Sequence, residues 1–436
     1  MSVGVYIQVP FCQTKCTYCN FHTGVVSPAV YGPYVDAVCR EIREYSVLLE
    51  AAGVGAAATN RSLASLGMTG KEQVTREVNS SVDTIYVGGG TPSLLEPAAL
   101  ERMLKTVRRA CDCNLQEVTL EADPETITGE KPFASPGGAQ GKADAWLEAG
   151  FNRISLGAQS FSDKELKAAG RMHRREDIYQ AARVLREAGF ANISLDLICG
   201  LPHQTAESWS DSLEQLIALR PEHVSIYLLE VDEGSRLGRE VITLGTRYSA
   251  PAVPSDAQMA DCYELACERL AAAGYEHYEI SNWALETNSR ASNPPFQNAK
   301  GRGTRANNRS RHNLKYWKRE PYFGFGAGAH SFNGSERWAN VHDPAAYVTS
   351  IEQGRLPIEQ HERLTSQQAL DEELFLGLRL LEGIDAARIE RAYDVSLLPR
   401  LASLRDAGWL EMEGSTARLA RGRLAVSNEV FVELMG

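Results

Sequence analysis

An apolar run, Val3 to Val9, stops at Pro10 and opens into a loop with three cysteines, Cys12, Cys16 and Cys19, spaced C-x3-C-x2-C. No other stretch restricts fold and chemistry as tightly. The run reads as a buried strand ended by proline. Thiolate sulfur is the soft ligand that iron–sulfur clusters take, normally from four cysteines. Here one short loop gives three and no fourth follows nearby, so a cluster held this way keeps one iron open to another ligand. The spacing differs from the C-x2-C pairs of zinc and thioredoxin-like sites. A ligand loop at the C-terminal end of a strand is also where α/β barrels build their active sites. The alternative, three unrelated small buried thiols, sits badly with their crowding into eight residues of one polar loop.

The stretch resembles the cluster loop of the radical S-adenosylmethionine superfamily, C-x3-C-x-aromatic-C, with Tyr18 as the aromatic. The resemblance implies a [4Fe-4S] cluster on Cys12, Cys16 and Cys19. It also implies S-adenosylmethionine chelating the open iron, with reductive cleavage to a 5′-deoxyadenosyl radical. The cofactor would carry that chemistry and the protein would position it. The superfamily alone chooses no substrate.

Apolar strands alternate with helical patterns through the first two thirds of the chain. Strands are expected at Val3–Val9, Val82–Val87, Val118–Ala122, Arg153–Gly157, Ile193–Ile198 and Val224–Leu229. Helices are expected at Tyr31–Ala51, Asp177–Ala188 and Trp209–Leu219. This order implies βαβ units on a parallel sheet. The expected fold class is α/β: an open, incomplete (βα)6 barrel over residues 1–285, with Gly-rich insertions near 52–81 and 127–142. A disordered insertion at 286–310 and a connecting region at 311–364 would follow. Residues 365–436 would form a small winged-helix-like α+β domain, with helices at Asp371–Leu381, Leu397–Ala407 and Asn428–Leu434 around two short strands.

The turn Gly88-Gly89-Gly90-Thr91-Pro92 resembles the superfamily's G-G-x-P motif, which contacts the amino group of S-adenosylmethionine; polar residues then recur near the ends of the apolar strands, Glu121, Gln159 and Asp196, with Arg171 in a following turn. At the C-terminal rim of an α/β barrel such side chains read as functional rather than as helix caps. In order and spacing these residues, with Tyr6, resemble the S-adenosylmethionine pocket of oxygen-independent coproporphyrinogen III oxidase-like proteins. That resemblance implies cofactor contacts from Tyr6, Glu121, Gln159, Arg171 and Asp196, and the superfamily resemblance adds Tyr18, Gly89, Gly90 and Thr91. The chain departs from the oxidase where the latter has a further cysteine, since Phe21 stands there.

A second motif separates the relatives. Arg311-His312-Asn313-Leu314-Lys315-Tyr316-Trp317, followed by a Gly-rich stretch ending at His330, resembles the H-N-x-x-Y-W motif of the HemW heme chaperone family. Chemically, His can ligate heme iron, and Tyr and Trp offer flat apolar faces to a porphyrin. The expected heme residues are therefore His312, Asn313, Tyr316, Trp317 and His330, against the alternative of a core aromatic pair with one structural histidine. From Thr287 to Arg319 there are nine Lys or Arg and no acidic residue. This is either a solvated loop or an electrostatic guide for an anionic ligand such as a heme propionate.

A net charge of −11 argues against general nucleic-acid binding. The chain has no run of roughly 18 or more apolar residues that would span a membrane, and no signal-peptide pattern. Nine cysteines without a paired framework point to a reducing, cytoplasmic setting. The favoured function is a heme chaperone with a [4Fe-4S] cluster, S-adenosylmethionine and heme. Its partner would be a heme-acceptor protein, membrane-associated ones included. The alternatives are an oxygen-independent coproporphyrinogen III dehydrogenase, a radical methyltransferase, or a scaffold stabilised by its cluster; no catalytic residue is assigned.

Overall fold

The computed structural model describes residues 2–20, 23–44, 81–129, 137–246, 248–286 and 308–435. The first half runs β1 (Ser2–Val9), α1 (Tyr31–Glu44), β2 (Ser81–Gly89), α2 (Pro97–Ala110), β3 (Cys113–Ala122), α3 (Pro124–Thr128), α4 (Gly138–Ala149), β4 (Arg153–Gln159), α5 (Asp163–Ala168), α6 (Arg175–Ala188), β5 (Ile193–Cys199), α7 (Ala206–Leu219) and β6 (His223–Leu228). Then come α8 (Arg236–Thr243), α9 (Asp256–Ala272), the hairpin β7 (Tyr275–Glu279) and β8 (Asn282–Leu285), α10 (Arg311–Trp317), β9 (Tyr322–Phe325), β10 (His330–Phe332), β11 (Glu336–Asn340), α11 (Pro344–Glu352) and β12 (Ile358–Arg363). The C-terminal unit holds α12 (Ser366–Leu378), β13 (Ile384–Asp385), α13 (Ala386–Tyr393), α14 (Leu398–Asp406), β14 (Leu410–Glu413), β15 (Thr416–Leu419) and α15 (Ser427–Met435).

Strands β1 to β6 are parallel neighbours in chain order, as the alternating pattern implied. The sheet is larger than expected: β9 adds a seventh parallel strand beside β1, and the hairpin β7–β8 joins β6 antiparallel. Its order is β12-β11-β10-β9-β1-β2-β3-β4-β5-β6-β8-β7, and among the described residues β12 and β7 are its unpaired edges, so the barrel stays open. The extra strands are short and carry charged and Gly residues, which hid them from a search for apolar runs. A second sheet, β13-β15-β14, stands with helices in the C-terminal unit, which also holds α13, a helix the sequence did not suggest.

One boundary needs correction. The insertion expected at 127–142 gives way to helix α4 from Gly138, because Lys142, Ala143 and Trp146 turn inward together at helical spacing and are buried. Residues 130–136 lie outside the described residues, as do 45–51 of the expected first helix, Phe21, the segment 52–80, and 287–307 of the second insertion.

The helices cover the outer face of the sheet. Val35, Val38 and Ile42 of α1 and Leu100, Met103, Leu104 and Val107 of α2 are almost wholly buried on Ile85, Val87, Val118 and Leu120. Each such side chain contributes about 1.5–3 kcal/mol on leaving water. The inner face is different. Because side chains alternate along a strand, the residues between these apolar ones point inward, and the pairing registers stack them in levels. Gly4, Thr84 and Glu117 share the lowest level, Tyr6, Tyr86 and Thr119 the next, and Gln8 and Gly88 stand above them. The interior of this open barrel is thus a polar column with an upper mouth, at the C-terminal strand ends, and a lower floor.

Candidate functional site

At the mouth, a cavity of about 510 Å³ is walled by the cysteine loop and the ends of strands β1 to β6. Cys12, Cys16 and Cys19 line one side, half-exposed and free of disulfides. Burial pushes the Cys12 thiol up to about 11 and raises Cys16 as well. Coordination to a metal would remove those protons.

The loop is pinned from two sides. The Gly90 and Thr91 amides donate to the Val9 and Phe11 carbonyls at 2.8 and 2.7 Å, and the Thr17 amide donates to Ala169 at 3.0 Å. A Cβ at Gly90 would sit 2.4 Å from the Phe11 carbonyl oxygen and 2.9 Å from Cys12 Sγ, so only glycine lets the two loops touch. Arg171 spans the same gap: its guanidinium pairs with Asp123, donates to the Gly157 carbonyl at 3.2 Å, and reaches Cys16 Sγ at 3.5 Å.

The facing wall is acidic. Glu121 accepts from the Tyr86 hydroxyl at 2.8 Å and the Gly89 amide at 2.9 Å, yet burial pushes its carboxyl up to about 7, with Asp196 and Asp123 adding to the rise. Asp196 accepts from Ser155 at 2.8 Å and Ser194 at 3.1 Å, and burial raises it too. Gln159 borders the cavity with a left-handed backbone, φ 64°, at a break in the β4–β5 register. Such a conformation is rare for glutamine and is held here by the surrounding loops.

Each residue expected at the cluster or the S-adenosylmethionine pocket therefore lines this one cavity: Tyr6 and Tyr18, the Gly89–Thr91 turn, Glu121, Gln159, Arg171, Asp196 and the three cysteines. The three thiols on one wall and the glycine cradle beside Cys12 fit an iron–sulfur cluster. Sequence reasoning passed over Gln8, Tyr86, Asp123, Glu125 and Tyr227, which also face the cavity. For Tyr86 and Tyr227 a signal was present: β2 and β6 interrupt their apolar runs with a polar residue at every second position, unusual for strands covered on both faces.

The other motif lies at the floor. α10 plugs the lower end of the column, its N-terminal Arg311 and His312 amides donating to Glu117 at 3.0 Å each. Lys315 is buried between Asp83 at 2.9 Å and Glu320 at 3.1 Å. The His312 ring turns into the fold and not into the cavity at the mouth. The side chain is fully buried, Nδ1 is 2.9 Å from Thr84 Oγ1, and Nε2 is 2.9 Å from the Tyr316 hydroxyl. Burial lowers its pKa to about 3, so the ring is neutral. Asn313, Tyr316 and Trp317 are half-buried, with the Arg379 guanidinium over the indole at 4.6 Å. His330 is exposed at the start of β10, beyond β9 from β1 in the sheet. The Gly-rich sequel is a packing element: a Cβ at Gly324 would lie 2.2 Å from the His330 carbonyl oxygen, and one at Gly326 2.6 Å from that of Gln8.

Comparison with known proteins agrees with this architecture. Residues 69–216 match the family model of the Radical SAM superfamily and residues 364–424 that of the HemN C-terminal domain. The cysteine loop lies outside both matches, so its assignment stands on spacing and geometry. The heme chaperone HemW of Bacillus subtilis is 30% identical over 439 residues, covering 99% of each chain. That of Synechocystis sp. is 33% identical over 95% of this chain and 87% of its own, and that of Mycobacterium tuberculosis 32% over 99% and 95%. Among solved structures, the coproporphyrinogen III oxidase HemN from Escherichia coli, a radical SAM enzyme, superposes with a TM-score of 0.72 at 19% identity. That superposition covers 100% of this chain and 89% of the oxidase. At that identity the likeness speaks for the fold alone.

Proposed function

The chain belongs to the family of HemW heme chaperones, and from that premise we propose that it binds heme and hands it to an acceptor protein while holding a [4Fe-4S] cluster and S-adenosylmethionine at the barrel mouth. Cys12, Cys16 and Cys19 would hold the cluster. Glu121, Asp196, Gln159 and the Gly89–Thr91 turn would surround the ligand of its open iron. When bound, the pair supplies one-electron chemistry. The protein's own part is to place and desolvate it: Arg171 and Asp123 fix the loop, and the acidic wall receives positive charge.

The charge of the mouth carries this choice. Among the described residues lining it, Glu121, Asp123, Glu125, Asp196 and Glu230 face a single cation, Arg171, which is already engaged with Asp123. Such a cavity suits a sulfonium with an ammonium group. It offers no free cation to the propionates of a coproporphyrinogen, which a decarboxylating enzyme has to seat. For heme, the contacts we carry forward are Asn313, Tyr316, Trp317 and His330. His312 could reach iron only if α10 left the floor.

No helix among the described residues is long and apolar enough to cross a membrane. We place the protein in the cytoplasm, with acceptors that include membrane-associated ones. The test is a transfer assay. Anaerobically reconstituted protein should develop a Soret band with hemin and pass it to apo-acceptor separated on a sizing column, while coproporphyrinogen III keeps its carboxylates. Absence of the Soret band, or release of carbon dioxide from coproporphyrinogen, would overturn the proposal.

A further inference from the structure

The floor and the mouth are joined through one imidazole. Tyr6 and Tyr86 form the bottom of the cofactor cavity, with ring centroids 6.0 Å apart and nearly stacked. Beneath both lies His312, 5.3 Å from the Tyr86 ring and 6.4 Å from that of Tyr6, tilted 32° to each. The histidine has no freedom to move, because Thr84 holds one nitrogen and Tyr316 the other. β1 makes room for it with glycine: a Cβ at Gly4 would be 3.0 Å from His312 Cε1. Upward, the Tyr86 hydroxyl donates to Glu121, and this joint is equally tight, since a Cβ at Gly88 would come within 2.8 Å of the Tyr86 ring and 2.9 Å of Glu121 Oε1.

We propose that His312 is a positioning residue for the cofactor pocket: its clamped ring supports Tyr6 and Tyr86 from below, and through Tyr86 it sets the place of Glu121. This rests on the mouth being the S-adenosylmethionine site. It assigns the histidine of the H-N-x-x-Y-W motif to the cofactor end of the protein rather than to heme iron. A side chain that fills a level of a packed column fixes the level above it, because interiors this dense do not close over a missing ring.

The test compares His312→Ala, His312→Gln and Thr84→Val in anaerobically reconstituted full-length protein. His312→Ala should keep its iron and its hemin affinity but bind S-adenosylmethionine about tenfold more weakly, the size of effect that follows loss of an outer partner of a ligand. It should also blunt the change that the ligand makes in the electron paramagnetic resonance of the reduced cluster. His312→Gln, which restores bulk and a group able to meet the Tyr316 hydroxyl, should recover most of both. Thr84→Val frees Nδ1 while leaving the ring in place; it should act in the same direction and more weakly, and it keeps the test open if the alanine variant does not fold. Leu401→Ala in the C-terminal unit serves as a control for general loss of stability and should leave the cofactor affinity alone.

Parent protein that ignores S-adenosylmethionine would sink the reading of the mouth. A parent that binds it, with His312→Ala and Thr84→Val binding equally well, would overturn the positioning role. So would His312→Ala losing hemin affinity while keeping its cofactor.

Discussion

The mouth and the floor of this barrel are built from the same strands and from equally polar residues, yet they are in opposite chemical states. At the mouth, Glu121 and Asp196 are crowded, raised in pKa by burial and open to a cavity. At the floor, Glu117, His312 and Lys315 are as polar and more deeply buried, and each is satisfied by a partner within the fold. Within the motif, His312 and Lys315 thus act as a bolt, while Asn313, Tyr316 and Trp317 stay half-buried. What separates the two is whether hydrogen-bonding capacity is left over after folding.

The largest expected effect breaks the mouth and spares the floor. Alanine at Cys12, Cys16 or Cys19 should abolish the roughly four irons of a reconstituted cluster. Serine at Cys39, Cys111, Cys113, Cys199, Cys262 or Cys267 should not. Iron and sulfide analysis decides it, and a fourth essential cysteine would refute the triad.

The next reverses the damage. Lys315→Met leaves Asp83 without its buried partner and should cost about 2–3 kcal/mol, moderated because Asp83 and Glu320 keep some contact with water. A urea transition moved to lower midpoint with unchanged iron content would support this; an unmoved transition would show that α10 is no bolt.

The smallest effect sharpens the mouth by pH. Glu121 titrates at about 7 in the folded chain, above the 4.5 of an ordinary glutamate. The folded state therefore holds a proton that the unfolded state releases, so the contribution to stability is full below about 4.5 and is lost as pH rises through 7. Glu121 still meets the water of the cavity, so about 1 kcal/mol is expected from it. Glu121→Gln should flatten the pH profile of the melting temperature by that amount between these limits, and an unchanged profile would place the titration elsewhere.

Much of this was legible beforehand. The cysteine loop, the Gly89–Thr91 turn, Glu121, Gln159, Arg171 and Asp196 were found because strand ends in a parallel sheet converge, so order along the chain becomes proximity in space. Strands β1 to β6 were visible as apolar runs. Strands β7 to β12 were not, because they are short, and β12, Ile358–Arg363, is exposed along nearly its whole length. Asp123 and Tyr86 were missed because their roles come from partners, Arg171 and Glu121, that only folding brings near. The burial of His312 was illegible for the same reason: Gly4 and Thr84, which receive it, lie more than two hundred positions away in the chain.

One measurement bears most directly on the assignment of the mouth. Reconstituted protein is reduced with dithionite and its electron paramagnetic resonance spectrum is recorded with increasing S-adenosylmethionine. If the open iron faces the Glu121–Asp196 wall, the cluster signal changes saturably in the parent, and the change is lost or needs far more ligand in Asp196→Ala. A spectrum that stays the same at saturating ligand, or an Asp196→Ala titration that matches the parent, would contradict the account.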